Sequence, residues 1–131
     1  MTMKIKADLV ETLGIEASNA QPNECCGILF GENETITHIQ PTQNVHPAPA
    51  THFEIEPAAL IAAHKAEREG GPKIVGYYHS HPKGPPEPSR TDQASAAGDG
   101  KIWAIIGRGE IRFWLDQPDG FKPLSYSVTD P

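Results

Sequence analysis

Cysteine is nearly absent: the chain has two, Cys25 and Cys26, and they are neighbours. A bond between adjacent residues closes a strained ring and spans no loop, which excludes a stabilising disulfide framework. Reduced thiols and a cytoplasmic address are the expectation. No apolar run approaches the length that crosses a bilayer, and Met1 to Lys6 lacks the apolar stretch of a secretory signal. No membrane partner is expected. Positive charge is scarce too: 11 Lys and Arg stand against 17 Asp and Glu, a net charge of −6 with six His taken as neutral. Without a basic stripe, no nucleic-acid partner is expected. Internal repeats, low-complexity segments and interdomain linkers are also missing. What is present, 37% apolar and 21% charged residues over 131 positions, is the composition of one globular domain spanning 1–131 with its own core.

Periodicity divides the chain into ten elements. Met3 to Lys6 reads as a short strand, and Ala7 to Ala20 as an amphipathic helix with Leu9, Leu13 and Ala17 at four-residue spacing. Cys25 to Phe30 is a short buried strand, Gly31-Glu32-Asn33 a turn, and Glu34 to Ile39 the returning hairpin arm. Residues 40–51 hold three Pro and no period, so a loop is predicted. Phe53 and Ile55 alternate before Pro57, which opens a helix to about Glu69. A strand over Lys73–Tyr78, a short helix over Ser89–Ala97 and strands at 102–106, 111–116 and 124–128 complete the order β-α-β-β-α-β-α-β-β-β. The predicted class is α+β, a mixed, mostly antiparallel sheet flanked by helices in a three-layer-like arrangement.

The chemistry centres on Val75-Gly76-Tyr77-Tyr78-His79-Ser80-His81-Pro82 and the loop leading to Pro88-Ser89-Arg90-Thr91-Asp92. His79 and His81 are two residues apart, so an extended backbone projects both imidazoles from one face. Ser89 has the character of a helix N-cap, with Asp92 one turn later. Two imidazoles and one carboxylate make a three-ligand zinc set with a fourth position left for water, the arrangement of a catalytic metal. A metal-dependent hydrolase is predicted.

Plainer readings stand beside each part. An H-x-H pair by itself is weak evidence, since two His at a solvated strand end look the same. Ser89 to Asp92 is also a capping-box variant, and a carboxylate that caps a helix fully is not expected to ligate a metal as well. Glu24 at the entrance of an apolar strand reads first as an exposed residue, although a zinc hydrolase needs one unliganded carboxylate to move protons. Cys25 and Cys26 read as small core hydrophobes. His38, His46, His52 and His64 lack ligand-like spacing and read as surface or packing residues, and Trp103, Phe113 and Trp114 as packing aromatics.

Taken together, Glu24-Cys25-Cys26-Gly27, the H-x-H strand and Ser89-Arg90-Thr91-Asp92 resemble the JAMM (MPN+) metalloproteases of the short bacterial type. That signature is a distant Glu, then H-x-H, ten residues and Asp, with Ser three before the Asp. Phe53-Glu54-Ile55-Glu56-Pro57 is also similar to the segment entering the helix before the metal strand in bacterial members. The resemblance implies a JAMM/MPN, cytidine-deaminase-like fold and one Zn²⁺ held by His79, His81 and Asp92. It implies Glu24 as general base and acid, and Ser89 as hydrogen-bond donor to the oxyanion. It also implies a substrate: the peptide or isopeptide bond after the C-terminal Gly-Gly of a ubiquitin-like sulfur-carrier protein, or a similar peptide. Two other readings remain at this point. One is an MPN-type binding scaffold without catalysis. The other is a zinc hydrolase of a small amide, against which stands the lack of the C-x-x-C that deaminases use.

Overall fold

A computed structural model describes residues 2–130. The order of elements is the one the sequence predicts: β1 (Thr2–Lys6), α1 (Ala7–Ala20), β2 (Cys26–Glu32), β3 (Thr35–Thr42), α2 (Pro57–Arg68), β4 (Ile74–His81), α3 (Arg90–Ser95), β5 (Ile102–Gly107), β6 (Glu110–Gln117) and β7 (Gly120–Thr129). The strands lie in the order β1-β3-β2-β4-β5-β6-β7, and β7 returns to pair with β1, so the sheet closes into a ring. The pairings β2–β3, β2–β4, β5–β6 and β6–β7 are antiparallel, while β1–β3, β1–β7 and β4–β5 are parallel. The sheet is therefore mixed and mostly antiparallel.

Two apolar clusters lie under the two long helices. Leu13 and Ala17 of α1 are buried with Met3, Ile5, Leu29, Ile36, Tyr78 and Phe113. Ala63 of α2 is buried with Cys26, Ile28, Phe30, Ile55 and Ile74. Leu29 thus falls in one cluster and Ile28 and Phe30 in the other, the alternation of a strand covered on both faces. Helix α2 begins where Pro57 needs no N–H, and the Glu56 carboxylate accepts from the Ala59 N–H at 3.0 Å.

Several boundaries differ from the sequence expectation, among them the end of β4, which runs to His81 rather than the predicted Tyr78. Strand β3 runs to Thr42 through Pro41, into the segment predicted as loop. Strand β7 begins at Gly120 and runs through Pro123. The ladder of β1 touches β3 at Lys4 and Ile5 and β7 only from Ser125 onward. Each proline therefore sits where its strand has one neighbour, the edge setting in which a missing N–H is tolerated. Helix α3 ends at Ser95 rather than Ala97, because Ala96 is already extended. Two tight turns have positive φ at both central residues, Asn33 and Glu34, and Arg108 and Gly109. That backbone twist matches the hairpins β2–β3 and β5–β6, and it moves the first turn one residue later than predicted.

Candidate metal centre and active site

Strand β4 ends on the residues the H-x-H motif singles out. His79 is completely buried, with its ring stacked on Phe53 at a centroid distance of 4.2 Å and met edge-on by Trp103 at 5.6 Å. Two residues on, His81 projects from the same face. Its Nδ1–H donates to the Pro85 carbonyl at 2.7 Å. A carbonyl only accepts, so His81 carries its proton on Nδ1 and Nε2 keeps its lone pair.

Helix α3 brings in the third group. Its start is a complete capping box: Ser89 Oγ accepts from the Asp92 N–H at 3.0 Å, and Asp92 Oδ2 accepts from the Ser89 N–H at 2.9 Å. The same carboxylate lies 3.1 Å from His81 Nε2 and 3.1 Å from His79 Nε2. Capping and convergence on the imidazoles therefore coexist at Asp92, contrary to the sequence expectation. A carboxylate has about four lone-pair sites, and one backbone N–H uses only one of them.

The two Nε2 atoms are 3.1 Å apart. Lone pairs on three side chains thus converge at separations slightly below the roughly 3.3–3.6 Å expected of tetrahedral zinc ligands with bonds of about 2.0–2.2 Å. Acceptors this close repel one another unless a cation lies between them, so the donor set fits a metal ion. His79, His81 and Asp92 form the group of residues able to hold one.

Electrostatics favour the ligand forms of His79 and Asp92, and the protonated form of His81. Burial lowers the pKa of His79 against the opposing pull of Asp92, which keeps the imidazole neutral. Whichever ring nitrogen carries its proton, Nδ1 of His79 is buried without a partner. For His81, burial acts downward, but Asp92, the Pro85 carbonyl and Glu24 together raise the pKa. Asp92 is desolvated, yet the neighbouring His79 and His81 imidazoles and the Ser89 N–H hold it far below the usual carboxylate range.

Glu24 is buried at 6% exposure, not exposed as its position in the sequence first suggests. Antiparallel pairing sets Cys26 opposite His79, and the ladder continues outside the strands: Ser80 N–H donates to Cys25 O at 3.2 Å, and Cys25 N–H to Ser80 Oγ at 2.9 Å. Continued one step further, that register would set Glu24 across from His81, and the two side chains line the same cleft. Burial pushes the Glu24 carboxyl up to about 7, with His81 lowering and Asp92 raising it. Glu24, His81 and Ser89 line one cleft of about 320 Å³, floored by Pro82 to Pro85 and walled by Ala50 and Thr51.

Several contributors fall outside the motif. Asn44 holds four main-chain groups: its Nδ2 donates to the carbonyls of Glu24 and His52, and its Oδ1 accepts from the N–H groups of His46 and Glu54, all at 3.0–3.1 Å. It lies in the segment predicted as featureless loop, and no local spacing marks it. Phe53, which covers His79, is likewise invisible as a site residue. His46 and His52 stack on each other at 4.6 Å and line a neighbouring pocket with Phe53, Trp103 and Asp92, in keeping with the packing reading. Cys25 and Cys26 are free thiols; burial pushes Cys25 up to about 11 and raises Cys26, which suits packing and not nucleophilic attack.

Residues 6–117 match the family described as prokaryotic homologs of the JAB domain. The chain belongs to this family. As a JAB-domain protein it is 34% identical over 117 residues to a desampylase of Haloferax volcanii, a match covering 86% of this chain and 83% of that one. It is 35% identical over 120 residues to a probable TtuB-protein conjugate cleaving protease of Thermus thermophilus, covering 92% of this chain and 79% of the other. A solution structure of a protein from Desulfitobacterium hafniense superimposes with a TM-score of 0.86 at 26% identity, over 99% of this chain and 94% of that one. The JAB-domain chain is thus a hydrolase, a peptidase as the motif resemblance implied, and its His79, His81 and Asp92 are able to hold a metal ion. No helix among the described residues is long and apolar enough to cross a membrane.

Proposed function

We propose that residues 1–131 act as one zinc-dependent peptidase domain. It cleaves the bond after the C-terminal Gly-Gly of a ubiquitin-like sulfur-carrier protein, or of a peptide like it, in the cytoplasm. The observation that carries this reading is the convergence of His79, His81 and Asp92 within 3.1 Å beside a buried, unliganded Glu24. The substrate class is supported by the relatives named as a desampylase and as a TtuB-protein conjugate cleaving protease. The cytoplasmic setting is supported by two free thiols that span no loop.

In this reading His79, His81 and Asp92 hold the ion through two Nε2 atoms and a carboxylate oxygen. Zinc, when bound, supplies a Lewis acid that polarises the scissile carbonyl and lowers the pKa of water towards ~7. Glu24 takes a proton from the attacking water and returns it to the departing nitrogen, a task suited to a carboxylate held near neutrality by burial. Ser89 Oγ accepts from the Asp92 N–H and keeps its own O–H free to donate to the carbonyl oxygen as negative charge develops there.

The test is incubation of purified protein with carrier proteins extended beyond Gly-Gly, with and without chelator, read by intact mass. Cleavage after Gly-Gly, about one zinc per chain, and a Glu24→Gln variant that keeps its metal but loses hydrolysis are expected. A Glu24→Gln variant as active as the parent rejects the role assigned to that residue.

A further inference from the structure

The loop from Pro82 to Pro88 joins β4 to α3 and so governs how His81 faces Asp92. Four of its seven residues are prolines without an N–H. Its one main-chain hydrogen bond among the described residues runs from Gly84 N–H to His81 O at 3.4 Å. Such a segment cannot hold its own shape by backbone bonding, so its position comes from groups outside it. Two of its consecutive carbonyls have partners. Pro85 O accepts from His81 Nδ1–H at 2.7 Å, and Pro86 O accepts from the indole Nε1–H of Trp114 on β6 at 3.1 Å. Beneath them lies Gly107, the last residue of β5. A Cβ there would lie 2.5 Å from Gly84 O, 2.8 Å from the Pro85 carbonyl carbon and 2.9 Å from Pro86 N.

These contacts form one chain of restraint. The Pro86 ring fixes its φ, so the peptide unit joining Pro85 to Pro86 has little freedom of its own. The Pro85 carbonyl can swing away from His81 only if Pro86 moves, and Pro86 is buried and tied to the indole. Loss of the Pro85 contact frees the His81 ring to rotate or to move its proton to Nε2, the atom aimed at His79 and Asp92.

We propose that Trp114 is a positioning residue of the metal centre. It holds Pro86 so that the Pro85 carbonyl keeps His81 in the Nδ1–H tautomer, with Gly107 as the floor that admits the loop. The inference rests on the reading of His79, His81 and Asp92 as the zinc ligands. It assigns a role in metal binding to a residue on a strand that contributes none of those ligands.

The experiment uses the full chain, parent and variants. Zinc affinity is read by competition with a chromophoric chelator, the His81 tautomer by ring ¹⁵N shifts of zinc-free protein, and stability by urea unfolding. Trp114→Phe keeps the aromatic packing and removes the donor. It is expected to weaken zinc binding roughly 3- to 10-fold, less than the ~10–100-fold typical when a direct partner of a ligand is lost. Its His81 is expected to become a mixture of tautomers. Gly107→Ala, which displaces the loop without touching the indole, is expected to cost roughly 10- to 100-fold and decides the matter alone should Trp114→Phe not fold. Zinc affinity equal to the parent in a folded Trp114→Phe chain overturns the proposal whatever Gly107→Ala does, and so does parental affinity in Gly107→Ala should Trp114→Phe not fold. So does weakening that only tracks lost stability while His81 stays wholly Nδ1–H. A parent chain that binds no zinc refutes the underlying ligand assignment instead, so the two failures are distinguishable.

Discussion

Replacing Glu24 by Gln is expected to stabilise the metal-free protein at alkaline pH while abolishing catalysis. The carboxyl is buried, and desolvation raises its pKa from 4.5 to about 7. At about 1.4 kcal/mol for each tenfold change in proton affinity, that rise corresponds to about 3 kcal/mol. The sign follows from linkage. Below pH 4.5 the carboxyl is protonated both folded and unfolded and costs nothing. Between 4.5 and about 7 the unfolded chain ionises while the folded chain does not, so stability falls as pH rises; above about 7 the penalty is constant. Water at the mouth of the cleft reduces the effect, which sets the expectation at about 1–3 kcal/mol. Urea unfolding in excess chelator is the assay, run on parent and Glu24→Gln at pH 4 and pH 8. The two proteins are expected to match at pH 4 within ~0.5 kcal/mol, with the variant more stable at pH 8 by the amount above. A difference that is the same at both pH values, or a variant less stable at pH 8, refutes the claim that Glu24 is held in the fold against its own desolvation cost.

Ser89→Ala removes a helix cap worth about 1 kcal/mol. If the hydroxyl also serves the oxyanion, kcat falls roughly 10²–10³-fold with KM little changed, and a normal kcat in steady-state assays ends that role. Asn44→Ala strands four main-chain groups around Glu24 and His52, so a loss of about 2–4 kcal/mol in urea unfolding is expected. A loss under ~0.5 kcal/mol would show that Asn44 is not the hub of this loop. Asp92→Asn separates the two tasks of that side chain, since the amide oxygen still caps Ser89 but the charge facing the imidazoles is gone. Zinc competition is expected to show a loss beyond ~100-fold, while the metal-free variant stays about 1 kcal/mol more stable than Asp92→Ala. Equal stability of the two variants counts against the cap.

The parts of the site that were legible are those whose geometry is local. A two-residue repeat is enough to place His79 and His81 on one face of a strand, and a cap signal is enough to place Asp92 in the first turn of α3. Glu24 is different. Its neighbours in sequence mark only a strand entrance, and its burial depends on pairing with a strand 55 residues away. The need of a metal hydrolase for an unliganded carboxylate made it a candidate, and the resemblance to a family motif singled it out. Asn44, Phe53 and Trp114 had no such help, because each acts on main chain or rings distant in sequence through a hydrogen bond or a stack that no periodicity encodes. The predicted loop over 40–51 failed at its start for the opposite reason: proline counts as a breaker locally, yet Pro41 is harmless on a strand segment with one neighbour.

Ring closure was illegible for the same reason, and it explains why the register around Glu24 can be strict. A strand slipped by one residue turns every side chain to the opposite face. For β2 that would move Glu24 away from His81 and set Cys25 in its place. Such slips are least costly in an open sheet with free edges, whereas β2 is held between β3 and β4 over seven and five residue pairs. Strand β3 is in turn tied through β1 to β7, and β4 through β5 and β6 to the same strand. Moving Glu24 out of register therefore requires breaking two ladders in a closed ring, not sliding one edge. The geometry that brings a carboxylate beside a histidine of the candidate metal group is a property of the whole sheet, which is why neither stretch of sequence discloses it alone.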